Sequence, residues 1–312
     1  MGGTMQAKPI VVVGSINMDL VVRAEHIPAA GETLLGTGFS MHPGGKGANQ
    51  AVAVARLGYP VEMIGMIGGD GMRLDAMGSA LRAHLAAAGV GVDGVGTADA
   101  ASGVALITVA DSGENSIVVT QGANACVTPE WIERHGGRLR AAGMVLAQLE
   151  IPLESVVRAA EICAEAGVPL MLDPAPARAL PARLSPLVAW LTPNETEAAF
   201  YAGDAVRNPA VVAATLQGRG AAAVVVKMGA RGAFLADAEG YAAHVEPFAV
   251  SAVDSTAAGD AFNAAFAVAL LTGRSTMEAA QFACAAAAIS VTRHGAQESM
   301  ATMDEVLARL GR

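Results

Sequence analysis

The chain has 312 residues, of which 53% are hydrophobic and 16% are charged. This composition can bury a large core and excludes an extended disordered protein. A formal net charge of −9 excludes the broad basic surface that attracts nucleic acids and anionic lipids. We therefore expect a globular protein with neither a nucleic-acid partner nor a membrane partner.

The sequence also lacks the patterns of membrane spans and export signals. No run of about 18 residues is free of charged and strongly polar side chains. The first ten residues, MGGTMQAKPI, contain no apolar signal-peptide core. The three cysteines, Cys126, Cys163 and Cys284, lie far apart and form no Cys-x-x-Cys pair, which favours a reducing compartment. These features predict a cytoplasmic location.

Short β-branched runs alternate with helical patterns along the chain. The runs that predict buried strands lie at residues 10–13, 61–67, 144–146, 170–172 and 222–226. Apolar residues recur at helical spacing in residues 48–57, 81–88, 153–166, 196–202 and 209–216. This alternation predicts an α/β fold, with a doubly wound, mostly parallel sheet flanked by helices.

Two segments interrupt the alternation, at residues 20–42 and 103–120. Each contains apolar runs separated by turn-forming residues, a pattern that predicts an antiparallel hairpin. No long linker isolates either segment. We therefore expect a single domain over residues 1–312, with the two segments forming a small β-sheet lid.

A loop of small residues leads into an apolar helix near the start of the last quarter of the chain. It reads AVDSTAAGD over residues 252–260. The backbone N–H groups of Ala257, Ala258 and Gly259 can converge there on an anion, and the helix dipole adds positive potential. Asp260 can then accept a hydroxyl proton while the loop holds developing phosphate charge. The competing interpretation is that Asp260 only caps the helix.

A glycine-rich turn at residues 43–50, PGGKGANQ, opens another helix. It is not a Walker A loop, because Gly47 rather than Ser or Thr follows Lys46. Its glycines permit close approach of a ligand to the backbone. The alternative is a tight turn between lid and helix, in which Asn49 has no functional role.

Polar residues also follow predicted strands at their carboxyl ends, where ligands bind in open α/β sheets. Asn17 and Asp19 can point the same way and bind adjacent hydroxyls, although turn chemistry alone explains such residues too. Glu150 is a further candidate, or else a solvated loop carboxylate. Asn194 and Glu197 suit a hydrated Mg²⁺, but their spacing is also that of a helix-capping pair.

Two other enzyme classes lack support. Residues 89–94 match G-x-G-x-x-G, but they follow a helical pattern rather than a strand, so the dinucleotide-binding context is missing. The six histidines are scattered and form neither a zinc motif nor a local triad signature.

Taken together, the motifs resemble the ribokinase family, also called PfkB, of carbohydrate kinases. The resemblance covers nearly the whole chain and rests on four motifs in register, which makes it specific. They are GSINMDL at 14–20, PGGKGANQ at 43–50, PNETE at 193–197 and AVDSTAAGD at 252–260, accompanied by QLE at 148–150, DPAPAR at 173–178 and VTRHGAQ at 291–297.

The resemblance implies ATP-dependent phosphorylation of D-ribose at its 5-hydroxyl. It implies that Asp260 is the general base and that Ala257, Ala258 and Gly259 form the anion hole. The implied sugar-binding residues, together with Asp260, are Asn17, Asp19, Gly45, Lys46, Asn49 and Glu150. The implied ATP-binding residues are Asn194, Lys227, Gly229, Gly232, Ala258, Gly259 and Cys284. Lys227 departs from the family pattern, which often has Thr there.

The resemblance also implies two metal ions and an assembly. Mg²⁺ would lie near Asn194 and Glu197, and two subunits would form a homodimer through the lid. K⁺, as a monovalent activator, would be bound by Asp254, Thr256, Ser290, Arg293, Gly295 and Ser299.

Two alternatives remain open. A kinase of the same fold could act on deoxyribose, 2-keto-3-deoxygluconate, a fructose phosphate or adenosine, although Asn17, Asp19, Asn49 and Glu150 suit a neutral polyol. A catalytically silent sugar or nucleotide sensor would require loss of the base or the anion hole, and both are present in the sequence.

Overall fold

The computed structural model describes residues 7–203 and 208–311. Within these ranges there are thirteen strands and ten α-helices. The strands are β1 (Ile10–Val13), β2 (Asn17–Ala24), β3 (Gly38–Gly44), β4 (Val61–Asp70), β5 (Gly91–Ala100), β6 (Gly103–Ala110), β7 (Asn115–Thr120), β8 (Met144–Ala147), β9 (Leu170–Leu172), β10 (Trp190–Leu191), β11 (Ala223–Lys227), β12 (Ala233–Ala236) and β13 (Ala242–Val245). The helices are α1 (Lys46–Arg56), α2 (Ala76–Ala87), α3 (Pro129–Arg134), α4 (Gly136–Ala141), α5 (Leu153–Ala166), α6 (Glu195–Ala202), α7 (Pro209–Gly218), α8 (Ala258–Leu271), α9 (Thr276–Ser290) and α10 (Met303–Arg309).

The larger sheet has nine strands in the order β13-β12-β11-β10-β9-β8-β1-β4-β5. Neighbours from β11 to β5 pair in parallel, whereas β12 and β13 add an antiparallel edge. The β-branched run of β1 lies at the centre of this sheet and is fully buried, as expected for a strand covered on both faces. The mostly parallel α/β sheet predicted from the sequence is confirmed.

Helices cover both faces of this sheet, and alternate residues of β1 point into the two layers. Ile10 and Val12 pack with buried residues of α1, α2, α8, α9 and α10. Val11 and Val13 pack with α3, α4, α5, α6 and α7. The side-chain period of two along a strand produces this division. Since the two cores hold the sheet rigidly, loops at its carboxyl edge have fixed starting points.

The smaller sheet has four strands in the order β3-β2-β6-β7. The two segments that interrupt the α/β pattern supply it: β2 pairs antiparallel with β3, β6 pairs antiparallel with β7, and β2 joins them by pairing in parallel with β6. Strand β2 begins only four residues after β1 ends. The small sheet therefore starts at the carboxyl edge of the large one.

No helix in the described part of the chain is both long enough and apolar enough to cross a membrane. The buried helix α8, with 14 residues, falls short of the roughly 20 residues that a bilayer requires.

Candidate active site

Polar side chains follow the carboxyl ends of neighbouring parallel strands and so meet at one edge of the large sheet. This placement is the one that open α/β sheets use to bind ligands. In sheet order these residues are Lys227 at the end of β11, Asn194 after β10, Asp173 after β9, Glu150 after β8 and Asn17 after β1.

The amino termini of two helices converge at this edge and fix the predicted base. Asn49 and Gln50 lie in the first two turns of α1, and Asp260 lies in the first turn of α8. Asn49 Nδ2 donates to Asp260 Oδ2 at 3.0 Å, and Gln50 Nε2 donates to Asp260 Oδ1 at 3.1 Å. The carboxylate is 4% exposed. Bonding by a neighbouring helix favours a role in the site over simple capping of α8.

The loop before α8 has the backbone conformation of an anion site. Ala257 adopts φ +58°, and among the described residues it is the one non-glycine residue with positive φ. A left-handed residue followed by helical ones directs successive N–H groups toward one point. For an L-residue this conformation costs about 1 kcal/mol, which indicates that the loop is held in place by its surroundings. Ala258 and Gly259 continue the loop into the helix.

Lys46 is the main positive charge that acts on Asp260. Burial raises the pKa of Asp260 to about 6, Lys46 lowers it, and Asp173 raises it further. Desolvation lowers the pKa of Lys46, but the surrounding carboxylates of Asp260, Asp173, Glu150 and Glu197 outweigh that effect and raise it. Lys46 therefore stays protonated as the buried countercharge of the base.

A cavity of about 590 Å³ connects the base to the predicted nucleotide residues. Its volume suits a ligand of nucleotide size. The predicted site residues that line it are Lys46, Asn194, Glu197, Lys227, Gly229, Gly232, Ala257, Ala258, Gly259, Asp260 and Cys284.

A second cavity, of about 390 Å³, lies at the amino ends of the strands, beside Lys8, Gly143 and Pro169. None of the described residues that line it carries a carboxylate, so it offers no general base. The buried carboxylates described above all lie at the carboxyl edge instead.

The nucleotide end of the large cavity is shaped by glycines and by a buried thiol. Gly232 adopts φ +81°, and a β-carbon there would lie 2.0 Å from the carbonyl oxygen of Val245, so only glycine fits. Burial raises the pKa of the Cys284 thiol to about 12. Cys284 is therefore a neutral, apolar part of the wall.

Asn194 and Glu197 form a capping box at the start of α6. Asn194 Oδ1 accepts from Glu197 N at 2.9 Å, and Asn194 Nδ2 donates to Glu197 Oε1 at 2.9 Å. Burial is the main cause that raises the pKa of Glu197. Among the described residues, no cluster of three His, Cys, Asp or Glu is arranged to hold a metal. The amide and carboxylate oxygens of the pair are of the type that Mg²⁺ prefers, and such an ion usually keeps several waters.

The predicted sugar residues lie where the small sheet meets the large one. Asn17 Oδ1 accepts from Asn124 Nδ2 at 2.7 Å, and Glu150 Oε2 accepts from Ser15 Oγ at 2.5 Å. Burial raises the pKa of Asp19 to about 7, and the charge of Glu150 adds to this. Hydrogen bonds thus fix Asn17 and Glu150 at this junction, and Asp19 lies close enough to Glu150 for their charges to interact.

Asn124 and Gln50 are site residues that the sequence motifs did not identify. Asn124 Oδ1 accepts from Ile16 N at 2.9 Å, so it orders the segment that carries Asn17. Asn124 lies in a short 3₁₀ turn with no local signature of function. Gln50 is part of the glycine-rich motif but was not singled out as a site residue. Its position next to Asn49, at the start of α1, was the signal that could have identified it.

The predicted K⁺ residues lie in two loops that Asp254 joins, except Ser290, which is the last residue of α9. Asp254 Oδ1 accepts from Thr256 N at 2.9 Å, and Asp254 Oδ2 accepts from Gly295 N at 3.0 Å. Burial raises the pKa of Asp254, but these hydrogen bonds outweigh it and hold the pKa below its usual value.

The other three predicted K⁺ residues already have partners. Ser290 and Ser299 donate to backbone carbonyls, and Arg293 pairs with Glu305 at 2.5 Å. These side chains are therefore engaged within the protein, and the Ser290 carbonyl also accepts a hydrogen bond from Arg293 N at 3.1 Å. The second loop is linked to the base through Gln297, whose Nε2 donates to Asn49 Oδ1 at 3.1 Å.

Comparison with known proteins decides the family. The model of the pfkB family carbohydrate kinases matches residues 7–303. This chain belongs to that family. A ribokinase of Haemophilus influenzae is 41% identical over 304 residues, which are 96% of this chain and 97% of that one. A deoxyribokinase of Salmonella typhi is 34% identical, over 95% of this chain and 96% of its own length.

Solved structures agree with the fold of this carbohydrate kinase. The structure of Arabidopsis thaliana ribokinase complexed with ribose and ATP superimposes with a TM-score of 0.90 at 35% identity, covering 98% of this chain and 99% of that one. The family and the fold predicted from the motifs are confirmed. The roles of individual site residues stay predictions.

Gly45→Ala should destabilise this kinase more than Gly58→Ala. Both glycines have positive φ, +89° and +72°, so alanine costs each about 1 kcal/mol of unfolding free energy. At Gly45 the new β-carbon would also lie 2.7 Å from the backbone nitrogen of Asn17, whereas Gly58 has nothing within 4 Å. We expect an additional loss of about 1–3 kcal/mol at Gly45. Urea unfolding measures both, and equal losses would contradict the close approach.

If Asp260 is the base and Asp19 binds the sugar, both in their ionised forms, activity should fall as the pH falls. Their pKa values are about 6 and about 7, so acidification below these values protonates the base and a sugar ligand. We expect log(kcat/KM) for the sugar to drop with a slope approaching about 2 at low pH, and with a slope of about 1 in Asp19→Asn. A pH–rate profile that stays flat down to about pH 5 would contradict both assignments.

Proposed function

We propose that this carbohydrate kinase transfers the γ-phosphoryl group of ATP to the 5-hydroxyl of D-ribose. The observation that carries the proposal is the buried Asp260 carboxylate, held by Asn49 and Gln50 beside a small-residue loop that can bind an anion. The names of the Haemophilus influenzae relative and of the Arabidopsis thaliana structure support ribose as the sugar.

The proposed reaction begins with the sugar hydroxyl beside Asp260. Asp260 accepts the hydroxyl proton as the oxygen attacks the γ-phosphorus, a P–O bond forms, and the bond from phosphorus to the bridging oxygen of ADP breaks. The N–H groups of Ala257, Ala258 and Gly259 would stabilise the charge that develops on the transferred group. Mg²⁺ bound through water near Asn194 and Glu197 would neutralise phosphate charge.

Sugar recognition in this proposal depends on the junction of the two sheets. Asn17, Asp19 and Glu150 offer amide and carboxylate groups to a neutral polyol, and carboxylates accept hydrogen bonds from adjacent hydroxyls. One relative is named a deoxyribokinase, and ribose differs from deoxyribose by its 2-hydroxyl. Recognition of this hydroxyl would therefore decide between the two sugars. A site that bonds this hydroxyl would discriminate strongly against its absence, since a buried partner would be left unpaired.

We further propose that the small sheet is a lid and that two copies pair through it. Its strands present an unusual amount of exposed apolar surface for a monomer. The exposed residues are Val22, Phe39, Met41, Leu106, Ile117, Val118 and Val119. Phe39→Glu should convert a dimer into monomers in sedimentation, and a wild type that is already monomeric would contradict the pairing.

We also propose K⁺ activation at the two loops joined by Asp254. One loop leads into the anion hole, and the other contacts Asn49 through Gln297. A cation bound by their carbonyl oxygens would therefore act on both the anion hole and the base. Potassium should raise turnover when it replaces a large organic cation at equal ionic strength, and identical rates would contradict this role.

The first experiment measures ADP release with D-ribose, 2-deoxyribose, fructose 6-phosphate, 2-keto-3-deoxygluconate and adenosine, with and without K⁺. We expect the largest kcat/KM with ribose. A larger value with another sugar would keep the kinase mechanism and replace the substrate. No turnover on any of them would favour a sensor on the same fold.

A further inference from the structure

Asp173 is a buried carboxylate to which the proposed reaction gives no role. It directly follows β9 at the carboxyl edge of the sheet and is 3% exposed. Its Oδ1 accepts from Lys227 Nζ at 2.9 Å, and its Oδ2 accepts from Gln50 Nε2 at 3.3 Å. A buried carboxylate is stable only with such partners, and here both partners lead to the reaction centre.

The first partner, Gln50, joins the two buried carboxylates. Its Nε2 also donates to Asp260 Oδ1 at 3.1 Å, and an amide nitrogen carries two hydrogens, so both bonds can form at once. Gln50 Oε1 accepts from Gln148 Nε2 at 2.7 Å, which fixes the orientation of the amide. Asp173 and Asp260 are therefore held in one rigid network.

The second partner, Lys227, reaches the anion hole. Its side chain is 11% exposed and lines the large cavity. A β-carbon added to Gly259 would lie 3.3 Å from Lys227 Nζ, so the ammonium lies beside the loop that would hold the transferred group. An ammonium has three donors. One bonds Asp173, and the others are available to a phosphoryl oxygen.

We propose that Asp173 is a positioning residue for phosphoryl transfer, which holds the Lys227 ammonium on the transferred group and, through Gln50, keeps the Asp260 carboxylate directed at the hydroxyl. This proposal rests on the proposed kinase function. Without Asp173, the flexible Lys227 side chain would lose the hydrogen bond that holds its ammonium among the described residues. Without Lys227, Asp173 would lose its hydrogen-bonded ammonium and would repel incoming phosphates more strongly.

The charges that face Asp260 give this role a distinctive pH signature. They are Lys46 at the start of α1, Asp19 on β2, and Asp173 with its partner Lys227. Removing the negative charge of Asp173 leaves Lys227 unpaired, which favours the ionised form of Asp260. Removing the positive charge of Lys227 has the opposite effect.

The experiment compares the wild type with Asp173→Asn, Lys227→Met and the double variant that carries both changes. Asp93→Asn, at an 82% exposed carboxylate, is the matched control. Each is measured with the sugar that the wild type prefers, by kcat, KM for ATP, and the acidic limb of the pH profile of kcat/KM. Thermal melting checks that each variant is folded. A single change leaves one buried charge unpaired and could unfold the protein, whereas the double variant removes both charges of the pair.

We expect kcat to fall by about 10-fold or more in Asp173→Asn and in Lys227→Met, on the scale of one charge-assisted hydrogen bond. The acidic limb should move to lower pH in Asp173→Asn, to higher pH in Lys227→Met, and back toward the wild-type position in the double variant. A purely structural role would not shift the limb in opposite directions. Unshifted limbs, or shifts of the same sign, would overturn the proposal. A wild type inactive with ribose but active with another sugar contradicts the proposed substrate alone.

Discussion

Asp260→Ala is expected to lower kcat by about 10²-fold or more, on the scale of positioned acid–base catalysis, while the affinity for the sugar stays largely intact. The reason is the division of labour in the site. Asp260 would accept the proton in the reaction, whereas Asn17, Asp19 and Glu150 would supply the contacts that the sugar makes in its ground state. A loss confined to the transition state lowers kcat and leaves binding unchanged.

Equilibrium binding of ribose, measured by calorimetry beside the steady-state rates, separates the two effects. Asp93→Asn removes a carboxylate at an exposed position and should leave both unchanged. Asp260→Asn should lose turnover to a similar extent, because an amide cannot accept the proton. Near-normal turnover in both Asp260 variants would remove the base assignment. A large loss of ribose affinity with normal kcat would make Asp260 a binding residue instead.

The sheet and the helices were predictable because their signals are local. The β-branched run of β1 reflects a strand that is buried on both faces. The helical spacing of residues 153–166 reflects a helix that buries one face. The observed helix α5 (Leu153–Ala166) has the predicted bounds. Strand β8 ends at Ala147, one residue beyond the predicted run at 144–146, and Glu150 follows it in the loop. Boundaries are less predictable, since the end of a strand depends on its neighbours.

The site was predictable only where one motif carries both the backbone and the side chain. The small-residue loop before Asp260 is recognisable in the sequence. The contacts of Asp173 do not, because they join residues far apart in the chain, on β11 and α1. Asn124, 107 residues from Asn17, is another such partner. Pairing of this kind is decided by the parallel sheet, which brings separate strand ends to one edge.

The unusual Lys227 illustrates the same limit. From the sequence, Lys227 is identified only as a departure from the family pattern, which often has Thr there. In the structure its charge is matched by Asp173 at 2.9 Å, a partner 54 residues away that no local pattern indicates. The electrostatic balance of the site depends on such pairs, and it can be disturbed most strongly at its central cation.

Lys46→Met is expected to weaken both stability and activity, because Lys46 is the buried countercharge for several carboxylates. Asp260, Asp173, Glu150 and Glu197 all raise the pKa of Lys46, and the reciprocal effect lowers that of Asp260. Without the ammonium, Asp260 should hold its proton to a higher pH, so the acidic limb of kcat/KM should move up by about one unit or more. Turnover near pH 7 falls accordingly.

The loss of stability in Lys46→Met should itself depend on pH. A carboxylate whose folded pKa exceeds its unfolded value binds more protons in the native state, so stability is lost as pH rises through the folded pKa. We expect a loss of about 3 kcal/mol at about pH 8, on the scale of breaking a buried ion pair, and a smaller loss at about pH 5, where the carboxylates can be protonated. Urea unfolding at both pH values measures this, with the exposed Lys8→Met as control. A loss that is equal at the two pH values would show that Lys46 contributes by packing rather than as a countercharge.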